Sequence, residues 1–145
     1  MEVQQTSILG EVKVKLKLKA KGPLAQVVAR LSNISPEGEV TRVTFGLLNL
    51  CHYKSNENPE ELKVGEWYEV AIPMNYICQK FEKGHQMRLS LSTSYFPVSW
   101  PSPEAVDVHI SLKDSSLVLP AYFGEEVKDQ ELSKIETKHT GYPHE

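Results

Sequence analysis

The clearest signal in the chain is an alternation. In EVKVKLKLKAK, Val12, Val14, Leu16 and Leu18 alternate with Lys13, Lys15, Lys17 and Lys19, a period of two that predicts a strand with one apolar and one lysine-rich face. The lysine face reads as a solvated surface that blunts a sheet edge against aggregation; a stripe for a polyanion is the competing reading. Gly22-Pro23 turns the chain into LAQVVARLSNI, a second strand. Ser35-Pro36-Glu37-Gly38 predicts a tight turn, because proline presets one dihedral and glycine accepts a positive one. VTRVTFGLLNL is a third strand, and the polar loop HYKSNENPEE follows it. In WYEVAIPM, Trp67, Glu69 and Ala71 alternate with Tyr68, Val70 and Ile72, and Pro73 predicts that this strand stops there or lies at an edge. Lys83-Gly84 turns the chain into HQMRLSLSTSYF; a proline-broken loop then leads to AVDVHISL, and a turn at Lys113-Asp114-Ser115 to SLVLP.

Short strands joined by Gly, Pro and Asn turns, with no convincing helix, predict an all-β sandwich or barrel. The long polar connections favour two antiparallel sheets in a jelly-roll β-sandwich. One domain over 1–124 is expected, followed by a polar tail or linker over 125–145, where GEEVKDQELSKIETKHTGYPHE is mostly charged.

Composition narrows the function. A length of 145 residues is enough for one core without staples. A net charge of −3 offers no global field for nucleic acid, and no nucleic-acid partner is expected. No apolar run approaches the roughly 18 residues of a membrane span, and no membrane partner is expected. MEVQQTSILG lacks the pattern of a signal peptide. Cys51 and Cys78 have no metal-ligand spacing and read as free thiols in a reducing compartment, with a single disulfide as the alternative. A cytoplasmic location is the default.

The stretch EKGHQMRLSLSTSYFPVSWPSPE looks chemical, with a histidine, an arginine, serines and acids together. It contains no G-x-S-x-G elbow, and no strand–helix alternation exists to carry one. Ser90, Ser92 and Ser94 fall on every second position, opposite Leu89, Leu91 and Thr93, which predicts a polar sheet face rather than a nucleophile. Arg88 shares the serine parity, and a structural ion pair or hydrogen bonds to a neighbouring loop are expected of it. The five histidines, His52, His85, His109, His139 and His144, show no HxH, HxxxH or HExxH spacing, so no metal and no cofactor are expected. Asp107 and His109 share a strand face but are too few to hold an ion. The remaining candidate is a surface. Tyr95, Phe96, Pro97, Val98, Trp100 and Pro101 form an aromatic, proline-rich loop that cannot rejoin a ladder, so it caps the core or docks onto a partner.

Several stretches together resemble a known family. The run Phe81-x-x-Gly84-His85-x-x-Arg88-Leu89-x-Leu91-Ser92-x-Ser94-x-Phe96-Pro97 is similar to a signature of the C-terminal non-catalytic jelly-roll domain of X-prolyl dipeptidyl-peptidase, cocaine esterase and glutaryl acylase type serine hydrolases. Arg30-Leu31-Ser32-Asn33-Ile34-Ser35-Pro36-Glu37-Gly38 resembles its "R-L-x-D-V-x-P-D-G" turn, and Phe45-Gly46-Leu47-Leu48-Asn49-Leu50 its "x-G-x-L-N" strand. Leu62-x-x-Gly65-x-x-Tyr68-x-Val70 and Trp100-Pro101-Ser102-Pro103 follow in the family's order. Asn33 stands where the family has Asp, and Cys51-His52-Tyr53 where a Thr-His-Arg type sequence is common. The resemblance, over roughly Ile8 to Pro120, implies a galactose-binding-domain-like sandwich. It implies an α/β-hydrolase domain carrying the Ser-Asp-His triad ahead of Ile8, and it transfers no catalytic residue to this chain.

The expected function is that of a non-catalytic accessory domain. Its partners would be an α/β-hydrolase domain, in cis or in trans, and a second copy in a homo-oligomer. The expected interface is Cys51, His52 and Tyr53 together with Tyr95, Phe96, Pro97, Trp100 and Pro101. The alternative is an independent carbohydrate- or ligand-binding module, with Trp67, Trp100 and Tyr95 as a stacking platform on one concave face.

Overall fold

A computed structural model describes residues 5–122, and the tail expected over 125–145 lies outside the described residues. The described chain forms β1 (Thr6–Ala20), β2 (Gln26–Ile34), β3 (Val40–Asn49), β4 (Tyr68–Phe81), β5 (Gln86–Ser92), β6 (Val108–Ile110), β7 (Ser116–Val118) and β8 (Ala121–Tyr122). The remaining regular structure is two 3-10 turns, Leu50–His52 and Leu112–Asp114. The strands make a β-sandwich of two antiparallel sheets, as their spacing predicts. In the larger sheet β4 lies on one side of β1, and β6, β7 and β8 line the other. The smaller sheet has the order β3-β2-β5. The chain therefore crosses between sheets on leaving β1, β3, β4 and β5, which is jelly-roll rather than meander connectivity.

The alternation in β1 sets the core. Ile8, Val12, Val14, Leu16, Leu18 and Ala20 are buried and meet Val27, Ala29 and Leu31 of β2 and Val70, Ile72 and Met74 of β4. Phe81, fully buried, closes one end. Each such aliphatic side chain contributes about 1.5–3 kcal/mol by leaving water. The lysines face outward as expected, but not as an edge guard. β1 is paired along both sides and is the central strand of its sheet. Edge or centre is decided by distant partners, which the period of one strand does not encode.

Pro73 does not stop β4, which runs on to Phe81. Two features reconcile it with the strand. β4 is at the edge of its sheet, the other position expected of Pro73, where one side of the strand is unpaired and proline is tolerated. A bulge follows immediately: Glu11 pairs with Tyr76 but Lys13 with Pro73, so β4 carries one extra residue there. The inward set consequently changes from Val70, Ile72 and Met74 to Ile77 and Phe81. The bulge also turns the Asn75 carbonyl toward β3, where the buried Thr44 hydroxyl donates to it at 3.2 Å.

AVDVHISL pairs over only Val108–Ile110, because Ser111 then starts a 3-10 turn closed by its hydroxyl on Asp114 Oδ2 at 2.7 Å. Ser115 Oγ fills the gap in the ladder between β6 and β7, accepting from Lys17 N at 3.1 Å. The tight turn at Ser35 forms as expected, with Gly38 N donating to the Ser35 carbonyl at 2.9 Å and Gly38 at φ 89°. The polar loop before β4 is pinned by buried Leu62, whose N–H donates to the Pro23 carbonyl at 2.9 Å.

Candidate functional site

β5 ends at Ser92, and the Ser92 hydroxyl donates to the Ser94 carbonyl at 2.8 Å, bending the chain out of the ladder. The loop then closes on itself. Tyr95 N donates to the Ser99 carbonyl at 3.2 Å and Ser99 N to the Tyr95 carbonyl at 2.7 Å, across a cis Phe96-Pro97 bond. Gln26 at the start of β2 fastens the loop to the small sheet: its Nε2 donates to the Trp100 carbonyl and its Oε1 accepts from Ser99 Oγ at 2.6 Å.

With its backbone fixed in this way, the loop divides its aromatics. Tyr95 turns inward onto the outer face of the small sheet, edge-on to Phe45 at 5.6 Å between centroids. Phe96 and Trp100 stack edge to face at 5.4 Å and remain 67% and 74% exposed. Val98 is exposed beside them. Trp100 and Pro101 form one wall of a groove of about 310 Å³, whose floor and far wall are Leu24, Ala25, Gln26 and Asn49. A backbone closed by its own hydrogen bonds thus carries two solvent-facing aromatics beside a groove.

The other expected interface segment sits differently. Asn49 lines the groove and caps the Leu50–His52 turn, its Oδ1 accepting from Cys51 N at 3.1 Å. Cys51 itself is only 8% exposed, with its thiol donating to the Pro23 carbonyl, so it presents almost no surface. His52 and Tyr53 are half-buried, and the Tyr53 ring meets Tyr68 edge to face at 5.1 Å. The structure thus brings the start of this turn to the aromatic loop and leaves Cys51, His52 and Tyr53 outside the groove. Leu24, Gln26 and Asn49 carry no sequence signal of this role; only the fold brings them to Trp100.

The three aromatics proposed for sugar stacking do not share a face. Trp67 lies beneath Lys19 at 5.0 Å, on the outer side of the large sheet, whereas Tyr95 lies on the outer side of the small one. The catalytic residue types are also dispersed. His85 Nδ1 is 3.1 Å from Asn33 Oδ1 in a contact that joins the two main stretches of the family resemblance. His109 is exposed on β6 beside Lys19, and Asp107 is paired with Lys21 at 2.9 Å. Among the described residues no group of three or more His, Cys, Asp or Glu side chains is placed to hold a metal ion. Of the two uses expected of Arg88, an ion pair or hydrogen bonds to a neighbouring loop, the ion pair is not formed among the described residues. No helix of the described residues is long and apolar enough to cross a membrane.

Comparison with known proteins places these features in context. A family model for the X-Pro dipeptidyl-peptidase C-terminal non-catalytic domain matches residues 3–140. The cocaine esterase of Rhodococcus sp. (strain MB1 Bresler) is 28% identical over 90 residues, 62% of this chain and 16% of the esterase. Among solved structures, an alpha-amino acid ester hydrolase superposes with a TM-score of 0.78 at 16% identity, covering 84% of this chain and 24% of that one. An aminopeptidase from a marine sediment Thaumarchaeota archaeon also gives 0.78, at 12% identity, over 84% of this chain and 25% of the other. A CocE/NonD family hydrolase from Staphylococcus aureus gives 0.68 at 17% identity, over 82% and 29%. These structural likenesses establish the shared sandwich, and the chain spans less than a third of each relative.

Proposed function

The chain belongs to the family of X-Pro dipeptidyl-peptidase C-terminal non-catalytic domains, and from that membership we propose that it serves as the accessory β-sandwich of a serine hydrolase, docking on the α/β-hydrolase domain through its aromatic loop. The observation that carries this reading is the pair Phe96 and Trp100, held out from the sandwich beside the Leu24–Asn49 groove although their backbone is tightly fastened. Large aromatics exposed on a rigid loop lose water-facing area only when a partner covers them. The partner is an apolar surface of the hydrolase domain, encoded with this chain or beside it in the same genome. The matched relatives are hydrolases several times this chain's length, which supports such a pairing. By the same reading the chain turns over no ester or peptide by itself, works where its hydrolase works, in the cytoplasm, and adds contacts between copies of the assembled protein.

Co-purification tests this directly. Wild-type chain is expected to copurify with the α/β-hydrolase domain of its own genome, and Trp100→Ala to weaken the complex by at least about 2 kcal/mol, roughly thirtyfold, as for a central aromatic anchor. Binding by both Trp100→Ala and Phe96→Ala as tight as that of the wild-type chain would remove the loop from the interface. Hydrolysis of a chromogenic ester by the chain alone would overturn the non-catalytic assignment.

A further inference from the structure

The outer face of the small sheet gathers three arginines. Ser32 in β2 is paired with Arg42 of β3 on one side and Arg88 of β5 on the other, and Arg30 stands two residues along between Phe45 and Ser90. Arg42 reaches this face only through a bulge. Leu31 pairs with Thr44 but Ser32 with Arg42, so Val43 is the extra residue; it packs against the core while Arg42 is delivered beside Ser32. An uninterrupted ladder would have set Val43 opposite Ser32 and turned Arg42 toward the sandwich interior.

The three guanidiniums, with Ser32, Ser90 and Tyr95, line an open cavity of about 260 Å³. Tyr95 orients two of them: the Arg30 guanidinium stacks 4.9 Å from its ring centroid, and Arg42 Nη1 donates to its hydroxyl. Among the described residues, every lysine–carboxylate ion pair lies elsewhere, and none ends on Arg30, Arg42 or Arg88. Arg30 Nε is buried and has no hydrogen-bond acceptor. Three like charges thus share one sheet face, Arg30 and Arg42 held against Tyr95 and Arg88 set beside them by its register with Ser32, and they lack a common acceptor.

We propose that this cavity is an oxyanion site. It takes a carboxylate or phosphate group, whose oxygens accept from the fixed guanidinium forks in the bidentate geometry that arginine favours, with the Ser32 and Ser90 hydroxyls as further donors. The anion comes either as a free small molecule or as an acidic side chain of a docked protein. The site is separate from the Phe96–Trp100 anchor, since Tyr95 turns to the opposite side of the loop.

The test is an NMR titration of the Arg Nε–H resonances in the full 145-residue chain. Succinate, inorganic phosphate and hexaglutamate are added in parallel at constant ionic strength, with chloride as the reference. The expected result is a saturable shift of the Arg30 Nε–H signal, its midpoint raised about tenfold in Arg42→Gln and in Arg88→Gln, the loss of one charge-assisted bond. Both arginines are exposed, so the backbone spectrum of each variant is expected to persist. Lys15→Gln, which removes one charge from the other sheet, should leave the midpoint unchanged. Saturation by succinate or phosphate assigns a free anion; saturation by hexaglutamate alone assigns a protein-borne carboxylate. A shift no different from that in chloride with all three probes, or one midpoint shared by wild type and all three variants, overturns the proposal.

Discussion

Placing a methyl group on Gly46 should damage the sandwich more than any other glycine-to-alanine change tested below. At Gly46 the backbone of β3 crosses that of β4, and a Cβ there would stand 2.2 Å from the Pro73 carbonyl oxygen, 3.0 Å from its carbon and 3.1 Å from Met74 Cα. All three are backbone atoms, so no rotamer change relieves the clash. The strands would have to separate by about 1 Å to restore an ordinary van der Waals distance. That movement is resisted on both sides: Gly46 is paired with Ala29 of β2, and Thr44 Oγ1 is bonded to the Asn75 carbonyl two residues away. Overpacking typically costs about 1–3 kcal/mol, and two pinned backbones put this case at the upper end. Removing glycine's freedom from the unfolded chain returns about 0.4–1 kcal/mol, since Gly46 does not have a positive φ. The net expectation is a loss of about 2–3 kcal/mol, or about 6–18 °C in Tm for a domain of this size. Urea and thermal unfolding followed by circular dichroism measure it, with Gly38→Ala as the comparison. Gly38 has φ 89° and nothing within 4 Å of its added Cβ, so it isolates the backbone penalty, about 1–2 kcal/mol. A Gly46→Ala chain as stable as wild type, or more stable than Gly38→Ala, would refute the close crossing of β3 and β4.

Other consequences are simpler to check. Cys78 is exposed and Cys51 buried, so a thiol reagent such as DTNB should label one equivalent quickly and the second only on unfolding; two equally fast thiols would contradict the placement of Cys51. The Asp107 carboxyl is held below its ordinary value by the hydrogen bond from the Lys21 ammonium and then by that group's charge. With the folded pKa depressed, the pair's small contribution is present above the unfolded carboxylate's pKa and is lost as pH falls through the lower folded value. An NMR titration should show the Asp107 midpoint moving upward in Lys21→Met, and an unmoved midpoint would remove the pairing.

The parts of the fold legible in the sequence are those governed by one strand and its immediate surroundings. β1 is readable because its even positions from Val12 to Ala20 meet the core while its lysines face outward. Its central place is not, since that depends on β6, β7 and β8, more than 80 residues away. Parity arguments fail wherever a bulge intervenes. The bulge after Pro73 lets β4 continue past a proline, and the bulge at Val43 puts Arg42 on the face of Arg30 although its parity in β3 opposes that of Phe45. The arginine cavity was therefore invisible to strand periodicity. The aromatic loop was legible in composition, but its split was not: Tyr95 is drawn inward by Phe45 and two guanidiniums, while Gln26, from a strand more than 60 residues earlier, holds Trp100 outward. Ser90 and Ser92 lie on one strand face as their spacing predicts, because β5 runs without a bulge against β2, whereas Ser94, expected on the same face, falls past the end of β5.

Docking on a hydrolase domain through one end of the small sheet is the role proposed for this sandwich. Backbone amide hydrogen exchange of the chain, with and without the α/β-hydrolase domain of its own genome, locates the docking surface. Added protection is expected at 24–26, 49–50 and 94–103, with the lysine face of β1 unchanged. Protection centred on that lysine face, or no protection at the aromatic loop in a complex that does form, would contradict that role.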